Sequence, residues 1–369
     1  MKTLCLIISL CFAVQTSIAQ DSSLVRERIN RATSVKDQQA TGTCWCFGTT
    51  SMVESENLRK GYSTPDISEM FTVRNIYIEK ARNYVLRQGD AKFDEGALGH
   101  DAIRAMAQYG MVPESLYTGL TPERKYLSHG RMLGYMKVYL DSIIKLPPPI
   151  PANWMDGFTV LLNKYMGEPP ASFEYKGKTY TPLAFSKEVM KFNPDEYVNL
   201  TSFTHHPFNK SFILEVPDNF SNGSYYNIPL QDLINICKTA LQNGYTVSWD
   251  ADVSNAGWNP GRGFAMVPVV DTALNAPEIN QDLPEKVITQ ESRQRLYEGL
   301  VTQDDHLMHI TGMGYSPKGR AFFIVKNSWG NNGPFHGYVN VSEAYFANNT
   351  ISIVIPKAAL DKKWKALIK

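Results

Sequence analysis

Residues 38–48 read QQATGTCWCFG, and this stretch decides how the rest of the sequence is interpreted. Gln38 offers a side-chain amide, Gly42 permits a tight turn, and Cys44 places a thiol directly after that turn. A helix is predicted to begin at Thr43 or Cys44, so the thiol would lie at a helix N-terminus. The partial positive charge there lowers a thiol pKa, and the thiolate is the reactive form of cysteine. Cys44 is therefore predicted to be a nucleophile for acyl transfer.

Two distant segments supply partners for a reactive thiol. His306 is predicted to take the thiol proton and later give it to a leaving amine, while Asn327 accepts the other imidazole N–H. Trp329 is expected to shield that hydrogen bond from water. His309 is the alternative base, but residues three apart on a strand face opposite sides, and His306 is preferred because it opens the strand. The remaining histidines are predicted to be surface or structural groups: His100, His129, His205, His206 and His336.

For the other polar and sulfur groups near the thiol, the sequence also allows more than one role. Gln38 lies six residues before Cys44, so its amide can turn back and join the Cys44 N–H in an oxyanion hole. Gln39 is the competing donor. Cys46 is predicted to be a packing residue, with redox pairing to Cys44 as the alternative, and Cys237 is predicted to lie in the core.

The N-terminus follows the pattern of a targeting segment. A basic residue, an apolar run and a small-x-small site ending at Ala19 make residues 1–19 a predicted secretory signal. Lipoprotein processing at Cys11 is the alternative, disfavoured by Leu10 before it. Cys5 and Cys11 would leave with the signal, and the odd number of remaining cysteines indicates a functional thiol and no disulfide framework. We expect export to the periplasm or the extracellular space.

The composition excludes some partner classes. The chain has 369 residues, 43% of them hydrophobic and 20% charged, with a formal net charge of +1. This balance gives no basic field for nucleic acid or an anionic membrane, and no later apolar run is long enough for a membrane span. A peptide substrate is predicted, with no metal and no organic cofactor.

The pattern of helices and strands predicts an α+β fold with a cleft between a helical and a β half. The predicted helices are 43–61, 67–87, 98–109, 135–145 and 153–166, and the predicted strands are 197–203, 211–215, 246–249, 306–313, 321–326, 338–341 and 351–355. Residues 20–369 are predicted to form one domain: a helical part with the nucleophile at 20–120, an insertion at 121–225, and a mainly β part with the histidine and asparagine at 226–369.

Taken together, these motifs resemble the pattern of papain-like cysteine peptidases, namely Gln-x5-Cys-Trp, then His, then Asn-Ser-Trp-Gly. His306 follows Cys44 by 262 positions, against roughly 130–150 in papain itself. The extra residues resemble the bleomycin hydrolase and aminopeptidase C branch, and further similarity lies at 109–113, 167–182, 226–230 and 247–253.

The resemblance implies a fold and a set of roles. The fold would be a helical left subdomain and an antiparallel β-barrel right subdomain, with the site between them. Gln38 would be the oxyanion donor, Cys44 the nucleophile, His306 the base and acid, and Asn327 its orienter, with support from Trp45 and Trp329. The activity implied is hydrolysis of peptide bonds through a thioester, as in an aminopeptidase C-like enzyme.

The sequence also departs from this branch in two places. Residues 365–369 read KALIK and do not resemble the C-terminal arm that enters the family's own cleft, so the arm is predicted to be missing and endopeptidase action stays open. Asp94-Glu95-Gly96 stands where the family has a glycine pair. Our hypothesis is that Glu95 binds a substrate α-ammonium beside Gly96; a solvated loop carboxylate is the alternative.

Two other functions use the same residues. An acyltransferase would pass the acyl group to an amine instead of water, and a non-catalytic peptide-binding protein would keep the cleft without turnover. The resemblance implies a homo-oligomer, because the family assembles as a hexamer. The short extension before the thiol argues against that assembly, so the oligomeric state stays open.

Overall fold

The structure is a computed structural model, and it describes residues 24–270 and 281–368. The predicted signal at residues 1–19 lies outside the described residues. Within them, no helix combines the length and the apolar character that crossing a membrane requires.

The helical half is built from the first part of the chain. Its helices are α1 Cys44–Arg59, α2 Glu69–Leu86, α3 Gly99–Tyr109, α4 Gly130–Ile144, α5 Trp154–Met166 and α6 Pro182–Glu188. Four helices lie later: α7 Leu230–Gln242, α8 Gln290–Glu298, α9 Glu343–Asn349 and α10 Lys362–Leu367. Gly61, with φ +84°, follows the end of α1 in a left-handed conformation that glycine adopts without strain.

The β half is a mixed sheet of eleven strands. Its strands are β1 Val25–Ile29, β4 Tyr197–Thr201, β5 Lys210–Ile213, β6 Ser224–Asn227, β7 Val247–Ala251, β8 Trp258–Asn259, β9 Phe264–Ala265, β10 His306–Tyr315, β11 Ala321–Lys326, β12 Tyr338–Ser342 and β13 Thr350–Pro356. The order is β5-β6-β4-β13-β7-β10-β11-β12-β9-β8, with β1 also paired to β10, and all pairs are antiparallel except β4 with β6 and β9 with β12. A separate hairpin joins β2 Phe173–Tyr175 to β3 Lys178–Tyr180.

Two large apolar clusters fill the halves. One joins the helices around Trp45, Tyr77 and Phe158, and the other lies under the sheet around Trp249 and Phe346. Burial of this apolar surface stabilises both halves. The inserted segment does not stand apart, because α4 to α6 join the first cluster and β4 to β6 extend the main sheet.

The predicted α+β class is confirmed. Helices α1 to α3 begin and end within about two residues of the predicted bounds, whereas α4 begins five residues before its predicted start at Tyr135. The sequence analysis missed α6 to α10, β1 to β3, β6 and the short β8 and β9. Helix α7 carries apolar residues at helical spacing, but the sequence analysis only placed its Cys237 in the core and assigned no helix there.

Candidate active site

Cys44 is the first residue of α1, as the sequence predicts. Thr43 caps the helix through its backbone, and the thiol lies where the helix dipole is positive. Helix α1 approaches β10 closely at Gly48, where an added Cβ would lie 2.6 Å from Leu307 Cδ2 and 3.1 Å from Leu307 O. Leu307 directly follows His306, so this contact brings the start of α1 to the start of β10.

His306 and Asn327 are in direct contact. His306 Nε2 lies 2.7 Å from Asn327 Oδ1, which also accepts the Ser328 backbone N–H at 2.7 Å. An amide oxygen accepts, so His306 carries its proton on Nε2 and leaves Nδ1 free to accept one. Trp329 stacks on the imidazole with ring centroids 4.6 Å apart, and Trp258 packs edge-on against Trp329. The indole therefore covers the pair from the side, as expected.

Gln38 is held by the loop that carries Asn327. Its backbone N–H donates to Ser328 O at 2.8 Å, and the Ser328 hydroxyl donates to Gln38 Oε1 at 2.7 Å. Gln38 Nε2 donates one hydrogen to Thr41 O at 2.6 Å. A primary amide has two hydrogens, so the second remains for an oxyanion.

The rival residues lie elsewhere. Gln39 Oε1 accepts the Leu127 N–H at 2.5 Å, so its side chain is turned toward that segment. His309 Nδ1 contacts Ser51 Oγ at 2.8 Å, on the face of β10 that lies under α1. Cys46 and Cys237 are buried free thiols, and Cys44 is also a free thiol. These placements favour Gln38 over Gln39 and His306 over His309.

Burial determines the charge states of the thiol and the imidazole. Desolvation raises the pKa of Cys44 to about 12, although the backbone N–H groups of Leu307 and Trp45 act in the opposite direction. Desolvation likewise lowers the pKa of His306 to about 4, against the raising effect of Asn327. Neither group alone favours its charged form. Proton transfer from sulfur to imidazole creates both charges together, so their attraction offsets the desolvation cost.

Glu95 and Trp45 hold the loop before the nucleophile. Glu95 Oε2 accepts the Gly42 N–H at 2.5 Å, and the Glu95 carbonyl accepts the Trp45 indole N–H at 2.9 Å. Burial, the largest influence, raises the pKa of the Glu95 carboxyl. At Gly96 an added Cβ would lie 1.9 Å from Asp218 Oδ2, so a larger residue there would require the Asp218 carboxyl to move.

Cys44 and His306 line one cleft of about 300 Å³. Its walls carry five carboxyl groups, and among the described residues that line it there is no lysine or arginine. The carboxyl groups belong to Asp94, Glu95, Asp218, Asp304 and Asp305. The sequence analysis anticipated only Glu95 as a functional carboxyl. In the sequence, the position of Asp304 and Asp305 directly before His306 was an available signal for two of the others.

One group of side chains has a spacing that suits a metal ion. His205, His206 and Glu215 offer ligand atoms within 4.8 Å of one another. However, His205 Nδ1 lies 3.0 Å from Gln294 Nε2, and Gln294 Oε1 is fixed by the Thr204 N–H. His205 therefore keeps its proton on Nε2 and donates it to Glu215, which describes a hydrogen-bonded cluster.

Known proteins show the same fold. The sequence profile of the Peptidase C1-like family matches residues 154–369, and that of the papain family cysteine proteases matches residues 20–74. The chain is 24% identical to aminopeptidase G of Lactobacillus delbrueckii subsp. lactis, over 91% of this chain and 83% of that protein. It is 23% identical to aminopeptidase C of Listeria monocytogenes, over 89% and 81%. The crystal structure of PepW from Lactobacillus rhamnosis superposes with a TM-score of 0.74 at 17% identity, covering 93% of this chain and 84% of that one.

The fold, the thiol at the start of α1 and the paired imidazole and amide define a cysteine peptidase. The family match covers more than half of the chain. The chain belongs to the peptidase C1-like family, and the predicted resemblance to its bleomycin hydrolase and aminopeptidase C branch is confirmed.

Proposed function

We propose that this peptidase acts as an aminopeptidase C-like enzyme that forms a thioester on Cys44. The observation that carries the residue assignment is the 2.7 Å contact of His306 Nε2 with Asn327 Oδ1, at the wall of the cleft that also contains Cys44. This contact fixes the tautomer that leaves Nδ1 as the base.

The chemistry follows from these positions. His306 Nδ1 takes the thiol proton as Cys44 Sγ attacks the substrate carbonyl carbon, and the carbonyl oxygen becomes an oxyanion. The free Gln38 amide hydrogen and the Cys44 backbone N–H stabilise that oxyanion. The intermediate collapses to the thioester as His306 gives its proton to the leaving amine. A water molecule then attacks the thioester, with His306 again taking and returning the proton.

The relatives that are named aminopeptidases support removal of residues from a free N-terminus. Glu95 is our candidate for the α-ammonium, because its carboxyl lines the cleft and the Gly42 N–H engages only one of its oxygens. Hydrolysis of free and N-acetylated peptides by wild type and Glu95→Gln tests this. Equal rates for the two peptides in wild type would exclude aminopeptidase restriction and leave endopeptidase action.

Export is the second part of the proposal, and the segment of residues 1–19 supports it. N-terminal sequencing of the protein from cell fractions is the measurement. A mature chain that begins at Gln20 in an exported fraction is expected, and a full-length chain retained in the cytoplasm would contradict export. A homo-oligomer stays a prediction, which sedimentation can test.

Cys44→Ala tests the nucleophile. Peptide hydrolysis should be abolished while the unfolding temperature stays near that of wild type. An epoxysuccinyl inactivator should alkylate Cys44 and spare the buried Cys46 and Cys237. Absence of an adduct at Cys44 would favour the non-catalytic peptide-binding alternative.

A further inference from the structure

Three buried polar side chains behind the site take no part in the proposed mechanism. They are Ser51 on α1, His309 on β10 and Lys326 on β11, which are 6%, 0% and 5% exposed. Lys326 Nζ donates to Ser51 Oγ at 2.7 Å, and Ser51 Oγ lies 2.8 Å from His309 Nδ1. This chain of hydrogen bonds, here called the clamp, joins one helix to two strands.

The charged end of the clamp determines which atoms donate. Burial lowers the pKa of Lys326 to about 8, against the raising effect of the Glu54 charge, so Lys326 is an ammonium at neutral pH. Burial, followed by the charge of Lys326, lowers the pKa of His309 well below its usual range, so this imidazole is neutral. An ammonium can only donate, so the Ser51 oxygen accepts from Lys326 and its hydroxyl hydrogen goes to His309 Nδ1.

The helical end of the clamp is connected to the nucleophile. Ser51 follows Cys44 by seven residues, which is about two turns, so both residues lie on the same face of α1. The helix between them is continuous. A shift of Ser51 against the sheet therefore moves the Cys44 sulfur with it.

The strand end of the clamp is connected to the base and its orienting amide. His309 and Lys326 are opposite each other in the pairing of β10 with β11, and theirs is the pair nearest the site. His306 precedes His309 by three residues and Asn327 directly follows Lys326, so both lie just beyond this pair. Asn327 also lines one cavity together with all three clamp residues. The clamp therefore acts where the two strands enter the site.

A second hydrogen bond from the clamp reaches the segment that carries Gln38. Lys326 Nζ also donates to Thr33 Oγ1 at 3.2 Å, and the Thr33 hydroxyl donates to Glu54 Oε2 at 2.6 Å. Glu54 is again a residue of α1, and Thr33 precedes Gln38 by five residues. One ammonium thus joins every element that contributes a side chain to the proposed mechanism.

Stability alone does not account for these groups. His309 Nε2 is buried and has no hydrogen-bond partner among the described residues. A buried N–H without a partner and a buried ammonium both lose solvation, and apolar side chains of similar volume are commonly as stable or more so. A buried polar network does, however, specify one arrangement of the elements that it joins.

We propose that the clamp positions the Cys44 sulfur for proton transfer to His306. The inference rests on the proposed function and deepens it, because it names the groups that set the distance between the two reacting atoms. None of the described residues that line the cleft belongs to the clamp, so its members act through α1, β10 and β11 and not by contact with substrate. Loss of one link should therefore lower kcat and leave KM near the wild-type value.

An isosteric pair of substitutions tests the clamp. His309→Asn keeps an acceptor oxygen close to the position of Nδ1, whereas His309→Leu has nearly the same shape as asparagine and no acceptor. The readout is the rate at which iodoacetamide alkylates Cys44 at neutral pH, with formation of a thioether and release of iodide. This reaction requires the thiolate, which forms as the sulfur passes its proton to His306. A misplacement of about 1 Å costs about a hundredfold in rate, so a smaller shift should make His309→Leu about tenfold slower than His309→Asn.

The same two variants are compared in peptide hydrolysis. His309→Leu should show a kcat about tenfold below that of His309→Asn at a similar KM. Equal alkylation rates in the two variants would overturn the proposal, whether both are fast or both are slow. A difference in hydrolysis that is confined to KM would also overturn it.

Ser51→Ala tests the clamp from the helix, and Ser202→Ala is its matched control. The Ser202 hydroxyl is also buried and donates one hydrogen bond, to Gln290 Oε1 at 3.1 Å. Both variants lose a buried hydroxyl, so their unfolding temperatures should fall alike, but only Ser51→Ala should slow the alkylation of Cys44, by about tenfold. Equal slowing in both variants, or a wild-type rate in Ser51→Ala, would overturn the clamp.

Alkylation separates this proposal from the proposed function. If the wild-type protein is alkylated at Cys44 but hydrolyses no peptide, the proposed function fails, and the alkylation rates of the variants still support or overturn the clamp. If peptides are hydrolysed and the clamp variants react like wild type, the peptidase assignment stands and the clamp is wrong.

Discussion

The contact between α1 and β10 at Gly48 makes a sharp prediction. In Gly48→Ala the new methyl group would lie 2.6 Å from Leu307 Cδ2 and 3.1 Å from both Leu307 O and Met308 C. The leucine side chain can rotate, but the two backbone atoms must move by a few tenths of an ångström. Overpacking of this kind costs about 1–3 kcal/mol, and the gain in helix propensity of about 1 kcal/mol offsets part of it.

The effect on catalysis should exceed the effect on stability. Cys44 lies one turn before Gly48 and His306 directly precedes Leu307, so separation of α1 from β10 changes the distance between sulfur and imidazole. A misplacement of reacting groups by about 1 Å lowers the reaction rate about a hundredfold, so a smaller shift of sulfur against imidazole should lower kcat/KM about tenfold. The assay is steady-state hydrolysis of a peptide amide beside thermal unfolding.

Gly134→Ala is the matched control. Gly134 lies in α4, and an added Cβ there meets nothing within 4 Å. This variant should gain about 0.5–1 kcal/mol in the free energy of unfolding and keep wild-type activity. Wild-type kcat/KM in Gly48→Ala, at unchanged stability, would refute the inference that this close approach positions the two reacting groups.

Three further predictions concern single side chains. Gln38→Ala should lower kcat by roughly 10²–10³ with little change in KM, because the amide stabilises the oxyanion and not the bound substrate. An unchanged kcat would show that the Gln38 amide does not stabilise the oxyanion. Lys36→Met leaves the buried Glu69 without its cation, whose Nζ lies 2.7 Å from Oε1, and should cost about 3–5 kcal/mol in urea unfolding. Lys178→Met breaks only an exposed ion pair and should change stability little, so equal losses would contradict that reasoning. Burial raises the pKa of the Asp250 carboxyl from 3.8 to about 7. The stability that this protonated carboxyl contributes is therefore present below pH ~4 and is lost as pH rises to about 7. Between these pH values, the unfolding temperature of Asp250→Asn should fall less steeply with pH than that of wild type.

The sequence alone predicted the parts of the site that depend on local pattern. Cys44 begins a helix directly after a bend at Thr41 and Gly42, and His306 opens a strand with ten residues of extended chain. The choice between His306 and His309 followed from the two-residue period of a strand. The side chains of His306 and His309 do contact different neighbours, Asn327 and Ser51.

The position of Asp250 could not be predicted in this way, because it depends on strand register. Asp250 stands in a strand whose five residues are all buried, where a sequence pattern alone would place a carboxyl on the exposed face. Only the pairing of β7 with β10 shows that this carboxyl lies beside Asp304, across from Leu307. A local choice that conflicts with its surroundings is most common where function requires it.

The same dependence on register explains how distant segments form one site. Strand β10 pairs with β1, β7 and β11, so its backbone is fixed on both sides before any side chain is considered. The Gln38 loop is in turn held by Ser328, one residue after Asn327. Oxyanion donor, base and orienting amide therefore share one support, whereas the Cys44 thiol belongs to a separate element, α1. Displacement of α1 should consequently change the reactivity of Cys44 while the His306 to Asn327 hydrogen bond persists, which histidine side-chain NMR of Gly48→Ala can show.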